Sequence, residues 1–300
     1  MTESENWICS FSPIFILGYP RSGTSLLRSL INSHEEIVIP PECGFIEWLN
    51  PKFKNTIDVK KFVEQLMDTK KIEGWGLNKK ELEKYILSSS PQTYQQLCYL
   101  TYKFYGESLG KNVKYWGDKN NYYIEHLDEL GELFPKAKYI WLVRNPKDVV
   151  ASQINVMKLR ESKYKPNFSS DILELVTQWL KSNKNISKFL RSKPYYFLTY
   201  EKLLTSPEKQ MSNVFDFIGI DDSGAIENFN NNKFFDEPKI TMDWKHKLKN
   251  NIESDNIYKY GQTLDKQEVE SINKILKKEN FEYKSLNWSS LELRQCIFEK

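Results

Sequence analysis

The stretch from Pro13 to Glu42 constrains the fold most. An apolar run, Ile14–Leu17, meets Gly18-Tyr19-Pro20-Arg21-Ser22-Gly23-Thr24-Ser25 and then a helical pattern over Leu26–Ser33. A buried strand that delivers the chain into a turn of backbone N–H groups, with a helix N-terminus behind it, is a ready anion site. The turn fits the first half of the nucleotide P-loop, G-x-x-x-x-G, but Thr24 stands where that motif needs Lys. Ser25 keeps the hydroxyl position, and the cation sits at Arg21, ahead of the second glycine. This pattern argues against Mg-dependent NTP chemistry and for a different phosphate-bearing donor.

A second strand–turn–helix unit runs over Tyr139–Ser152. It reads as a buried strand ending in Arg144, with Pro146 in the first helical turn and Asp148 where the helix dipole favours an anion. An Arg at a strand's carboxyl end, with Ser152 one to two turns into the helix, can fork onto a second phosphate.

These two units resemble the phosphate-binding motifs of the sulfotransferases. The resemblance implies that Arg21, Ser22, Gly23, Thr24 and Ser25 form a P-loop-like loop for the 5′-phosphosulfate of PAPS (3′-phosphoadenosine 5′-phosphosulfate). It implies that Arg144 and Ser152 hold the 3′-phosphate. Tyr115–Pro146 and Tyr195–Ile220 are similar to the carbohydrate-type and tyrosylprotein-type branch, with Asn121 replacing a proline. The resemblance further assigns Lys119 to the reacting group and Tyr200 to the nucleotide. Lys259, before Tyr260, matches a late basic–aromatic pair that closes over the 3′-phosphate side.

The tyrosylprotein branch takes its general base from a glutamate shortly after the first helix, and Glu42 has the matching spacing from Arg21. Pro40, Pro41, Cys43, Gly44 and Phe45 place it in a rigid, largely apolar turn, where desolvation is expected to raise its pKa toward that of a useful base. The catalytic set is therefore Glu42, Arg21 and Lys119. His34 is expected to be a structural cap. His126 lies in a helical pattern and His246 in a polar loop. Glu35, Glu36 and Glu47 read as solvated charges, and Asp118 as a turn residue or cap. Lys245, Lys247 and Lys249 read either as part of the closing loop or as a solvated charge run.

Three hundred residues, 40% hydrophobic and 14% aromatic, suffice for a sizeable core. A formal charge of +3 is too mild for nucleic acid as the main partner. Cys9, Cys43, Cys98 and Cys296 show no ligand-like spacing with the histidines, so free thiols and no metal are expected. The acidic N-terminus lacks the pattern of a leader, and no run approaches the roughly 18 apolar residues of a membrane span; a cytoplasmic protein is expected.

Strands separated by helices predict one α/β domain over 1–300, with a central parallel sheet flanked by helices and the ligand at the strands' carboxyl ends. Strands are expected at Ile14–Leu17, Ile37–Ile39, up to Arg144, and at Tyr195–Thr199. A helical insert is expected over about 45–135, interrupted at Pro51, at Gly74–Gly76 and at Ser88–Pro91. Helices follow at Asp171–Leu190, Pro207–Ile218 and Asp265–Lys278, with a mobile loop over about 221–260. Tyr94, Tyr99, Tyr102, Phe104 and Tyr105 are expected in the core rather than lining an acceptor cleft. Lys158, Arg160, Lys163 and Lys165 are expected on a solvated face. The predicted activity is in-line sulfuryl transfer from PAPS to a hydroxyl of a glycan, lipid, small metabolite or peptide tyrosine, with no metal. A P-loop kinase or NTPase, and a noncatalytic nucleotide-binding protein on the same fold, are the competing readings.

Overall fold

A computed structural model describes residues 12–53, 55–221, 224–245, 252 and 256–279. Cys9, Cys296, His246, Lys247 and Lys249 lie outside these. The sheet is built from β1 (Ile14–Leu17), β2 (Ile37–Val38), β3 (Tyr115–Asp118), β4 (Lys138–Val143) and β5 (Tyr195–Thr199), all parallel, in the order β2-β3-β1-β4-β5. Side-chain alternation distributes each central strand between two cores. Phe15, Leu17, Tyr139, Trp141 and Val143 face one, and Ile14, Ile16, Ile140, Leu142 and Leu198 face the other.

The second face is covered by α1 (Thr24–Asn32), which presents Leu27, Leu30 and Ile31, and by the pair that later follows β5. The first face carries the helical insert, α2 (Phe45–Phe53), α3 (Val59–Met67), α4 (Lys79–Ser88) and α5 (Tyr94–Ser108). There the aromatic content is spent on packing. Tyr102 meets Trp116 at 4.9 Å, Trp75 meets Tyr105 at 5.0 Å, and Phe45 meets Tyr102 at 5.5 Å. Tyr94, Tyr99, Tyr102 and Tyr105 are buried core, as expected. Pro51 does not interrupt its helix but lies inside α2, two residues from the end, where few turns remain for a proline to disrupt.

The rest of the chain adds α6 (Leu127–Leu133), α7 (Pro146–Met157), α8 (Ile172–Leu190), α9 (Tyr200–Thr205), α10 (Pro207–Ile218), α11 (Ala225–Asn230) and α12 (Lys266–Lys278). Their ends follow local chemistry. Asp171 caps α8 by accepting from Leu173 N, and Asp265 forms a reciprocal capping box with Glu268 at α12. Gly219 ends α10 at φ 88°, a left-handed position that glycine occupies without penalty.

β3 is absent from the strand expectations above. It is four residues long with Gly117 inside it, and an isolated glycine weakens a strand signal. The glycine is required because a Cβ there would stand 2.2 Å from Ile14 O. The stretch 221–260 carries more structure than a polar loop. It contains α11 and a 3₁₀ turn over Lys239–Trp244, and Glu237 is buried.

β1 is the switch point of the sheet: the chain next builds β2 and β3 on one side, then β4 and β5 on the other. The crevice outside the carboxyl end of such a strand is where doubly wound sheets bind ligands.

Candidate functional site

Four strand ends open onto one cleft of about 670 Å³. The loop 18–25 leaves β1, Lys119 follows β3, Arg144 follows β4 and Tyr200 follows β5. Arg21, Gly23, Thr24, Ser25, Glu42, Arg144, Ser152, Tyr200 and Lys259 all line it.

The loop is held in shape by its backbone. Ser22 N donates to Tyr19 O at 3.0 Å, Arg21 adopts a left-handed φ of 75°, and Gly23 caps α1 at φ 97°. A Cβ on Gly23 would enter the Tyr200 ring at 2.3 Å, so glycine is needed both for conformation and for that close approach. The loop ties the two arginine units together. Arg21 Nε donates to Ser152 Oγ at 3.1 Å, and Arg144 Nη1 donates to Arg21 O at 3.2 Å. The Arg144 guanidinium lies 4.4 Å from the centre of the Tyr200 ring, a cation–π distance. Burial and the neighbouring Arg144 lower the Arg21 pKa to about 10, so the guanidinium stays charged at neutral pH.

The turn after β4 is fixed from below. Asn145 N donates to the buried Glu201 Oε1 at 3.0 Å, and Asp148 accepts from Tyr258 N and Tyr260 N at 2.8 and 2.9 Å. Asp148 thus pins the turn carrying Lys259 to the first turn of α7. Ser22 Oγ and Arg144 Nε are buried and have no hydrogen-bond partner among the described residues. Orphaned donors of this kind are rare in folded proteins.

On the other side of the cleft Glu42 is held by two lysines. Lys119 Nζ binds Oε1, and Lys71 Nζ binds Oε2 at 3.0 Å. Lys119 also donates to Ser25 Oγ at 3.2 Å. The lysine that a turn would place on the surface is buried. Burial lowers its pKa to about 8 against the opposing pull of Glu42. The backbone N of Lys119 donates to Asp118 Oδ1 at 2.7 Å, and Tyr123 Oη donates to Oδ2. Asp118 is therefore structural but not a helix cap: it is the buried last residue of β3. Burial raises its carboxyl to about 6 despite these bonds.

The expected rise of the Glu42 pKa is corrected. Burial does push the carboxyl upward, but the charges of Lys119, Lys245 and Lys71 outweigh it, and the group is held well below its ordinary value. Glu42 is thus an ionised acceptor gripped by cations rather than a desolvated base of raised pKa.

His34 is buried and structural. Its Nδ1 accepts from Glu36 N at 3.1 Å, which leaves Nε2–H to donate to Asp221 O at 3.1 Å. Glu35 and Glu36 pair at the surface with Lys233 and Lys114, while Glu47 sits 3.4 Å from His126. Lys163 is exposed and pairs with Glu73 at 2.7 Å, whereas Lys165 has its side chain folded in and donates to Leu159 O at 2.8 Å. Cys43 and Cys98 are buried free thiols. No His, Cys, Asp or Glu group that could hold a metal occurs among the described residues. No described helix is long and apolar enough to cross a membrane.

Sequence reasoning missed Lys71, the second of the pair Lys70-Lys71 after α3, and the carbonyls that meet the arginines. Trp244 O accepts from Arg21 Nη2 at 3.1 Å and Asn256 O from Arg144 Nη2 at 3.0 Å. It also missed Arg28, buried in α1 against Asp236 at 2.8 Å and Glu237 at 3.2 Å. Glu237 in turn binds Lys245, which lines the cleft.

The model of the sulfotransferase family matches residues 13–224. The chain belongs to the sulfotransferase family. Among curated relatives it is 27% identical over 222 residues to protein-tyrosine sulfotransferase 2 of Gallus gallus, covering 71% of this chain and 52% of that one. It is 25% identical over 235 residues to the nodulation protein NoeE of Sinorhizobium fredii, covering 71% and 51%. The chain thus spans about half the length of the curated relatives it matches. Similar solved structures include the sulfotransferase domain of the Synechococcus olefin synthase, with a TM-score of 0.58 at 20% identity, covering 88% of this chain and 94% of that one. A mouse sulfotransferase complexed with PAP has a TM-score of 0.51 at 15% identity, covering 99% and 92%. These structures share the fold, a single α/β domain with a five-stranded parallel sheet and a P-loop-like turn.

Proposed function

We propose that this sulfotransferase moves the sulfuryl group of PAPS to a hydroxyl, with Glu42 as general base. One observation carries the reading: Arg21 after β1, Arg144 after β4 and Glu42 line a single cleft, with the buried Lys119 after β3 bound to Glu42. The mouse relative complexed with PAP supports the choice of donor by its fold. The residues fit such a molecule. Arg144 Nε and Ser22 Oγ are buried donors lacking partners among the described residues, and phosphate oxygens are the acceptors that a charged fork suits best.

In this reading the loop N–H groups and Arg21 receive the 5′-phosphosulfate, Arg144 and Ser152 the 3′-phosphate, and Tyr200 and Lys259 flank the nucleotide. When bound, PAPS supplies an activated sulfuryl group. The acceptor oxygen forms a bond to sulfur while the bond from sulfur to the 5′-phosphate oxygen breaks, and the hydroxyl proton goes to Glu42. In the same reading Lys119, bonded to Glu42 and Ser25, neutralises the departing phosphate. Catalysis of this kind rests on positioning and on fixed charge.

A depressed base pKa accords with this scheme if donor oxygens compete with Glu42 for its lysines. Each lysine that turns to the donor frees the carboxylate to accept a proton. Labelled PAPS incubated with a fractionated extract of the source organism, followed by mass analysis, tests the reading. A sulfated glycan, lipid, metabolite or tyrosine peptide formed only with active protein is expected. PAPS consumption no faster than in buffer with every fraction would contradict it.

A further inference from the structure

The two oxygens of Glu42 are held by two lysines of different character. Lys119 is 1% exposed, follows β3, and reaches Ser25 of the donor loop as well as Oε1. Lys71 is 33% exposed, belongs to the helical insert, and reaches Oε2 from the solvent side at 3.0 Å.

The backbone at Lys71 is unusual. Its φ of 72° puts a long side chain in the left-handed region, which costs free energy for any residue but glycine. Such strain persists only where surrounding contacts over-determine it, and it clusters at functional sites. The contacts are present. Lys71 N donates to Tyr164 Oη at 3.3 Å, Lys71 O accepts from Gly74 N at 3.0 Å, and Tyr164 Oη donates to Glu73, which Lys163 also binds. Tyr164 and Lys71 both line the cleft. The segment after α7 therefore braces the insert at Lys71, whose ammonium touches Glu42 Oε2.

We propose that Lys71 is a positioning residue for Glu42, keeping the carboxylate aimed into the cleft from Oε2 while Lys119 turns from Oε1 toward the donor. The proposal rests on the reading of Glu42 as base. It assigns the two lysines separate duties: Lys119 is shared between base and donor loop, and Lys71 belongs to the base. It also gives the insert a part in the chemistry, through a turn whose strain is held by Tyr164.

The charges facing Glu42 come from four elements: Lys119 after β3, Lys71 in the insert, Lys245 after the 3₁₀ turn, and Arg21 in the loop. Lys71 itself faces Glu42, Glu237 and Cys43. Removing Lys71 takes one cation from the carboxylate, so the acid limb of the pH–rate profile should move to higher pH. Arg at the same position keeps the charge and should restore the limb.

The test follows PAPS consumption over about pH 5–9 with the extract fraction that supports wild-type turnover, or with a simple aliphatic alcohol whose hydroxyl does not ionise in that range, as acceptor. It compares the wild type, Lys71→Met, Lys71→Arg, Glu42→Gln and the double variant Glu42→Gln/Lys71→Met, with PAP affinity measured in parallel. Lys71→Met should lower kcat by about ten- to a hundredfold with PAP affinity unchanged, and the loss should vanish in the Glu42→Gln background, because residues acting through one another are not additive. A loss of equal size in both backgrounds, or wild-type kcat and pH profile in Lys71→Met, overturns the proposal. A wild type that consumes no PAPS above buffer with any extract fraction overturns the reading of Glu42 on which it rests, a different and separately visible failure.

Discussion

Two clusters of carboxylate and cation, one around Glu237 and one around Glu42, differ in what seals them. Around Glu237 the partners are Arg28 and Lys245, with the side chains of Arg28 and Glu237 each 1% exposed. Around Glu42 the partners are Lys119 and Lys71, and the carboxylate itself is 16% exposed. Opposite charge depresses both acids: Glu237 to about 2, against the upward push of burial, by Lys245 and Arg28, and Glu42 well below its ordinary value. Depression alone therefore does not mark a catalytic acid. What separates them is access: one cluster ties the segment after α11 to α1, while the other faces the space where a ligand would lie. Lys245 joins the two, bound to Glu237 and within electrostatic reach of Glu42.

Glu42→Gln should reduce turnover by about 10²–10⁴-fold, the usual cost of losing a general base, while PAP still raises the melting temperature. His34→Asn, in a structural histidine, should stay far closer to wild type in turnover per folded molecule. Retained turnover in Glu42→Gln with collapse in a folded His34→Asn would move the base to His34.

Next in size is Arg28→Met. It takes the cation from the buried Asp236 side chain and leaves Glu237 with Lys245 as its remaining cation, and removing one member of a buried pair typically costs about 3–5 kcal/mol. Urea unfolding should show that loss, with kcat of the remaining folded protein affected less than in Glu42→Gln. A variant as stable as wild type would mean that the sealed cluster does not hold this segment in place.

Proton linkage sharpens the contrast. Glu237 has a folded pKa below its ordinary 4.5, so its contribution to stability is complete above about 4.5 and is lost as pH falls toward about 2. Melting temperature should drop through that window, and less steeply in Glu237→Gln. Lys119 works in the opposite direction and on binding: its ammonium, at about 8, is lost as pH rises, so PAP affinity should weaken above about pH 8 and show no such decline in Lys119→Met. The smallest expected effect is that of a chelator. Turnover should persist in excess EDTA, and a complete loss restored by Mg or Zn would require a metal role.

The half of the cleft around Arg21 and Arg144 was legible in the sequence because it is local. The run Ile14–Ser25 and the unit Tyr139–Ser152 each compress strand, turn and helix start into a few residues, so order and spacing disclose where Arg21 and Arg144 go. The insert was legible only as helices. Its contribution to the site, Lys71, depends on a left-handed backbone and on Tyr164, 93 residues away, and neither leaves a periodic signal. Arg28 is similar: on one turn of α1 it reads as a solvated charge, and only the return of the chain at Asp236 and Glu237 buries it. The misjudged pKa of Glu42 has the same origin, since its apolar neighbours in sequence implied desolvation whereas its lysines arrive from three distant segments.

In the proposed reading the cleft takes a donor bearing a 3′-phosphate, held by Arg144. Thermal shifts with PAP and with 5′-AMP at matched concentration test it most directly, in wild type and in Arg144→Ala. A charge-assisted fork is worth about 1.5–3 kcal/mol, so PAP should stabilise the wild type well beyond AMP, and the difference should collapse in Arg144→Ala. Equal shifts for the two nucleotides in the wild type would contradict the account.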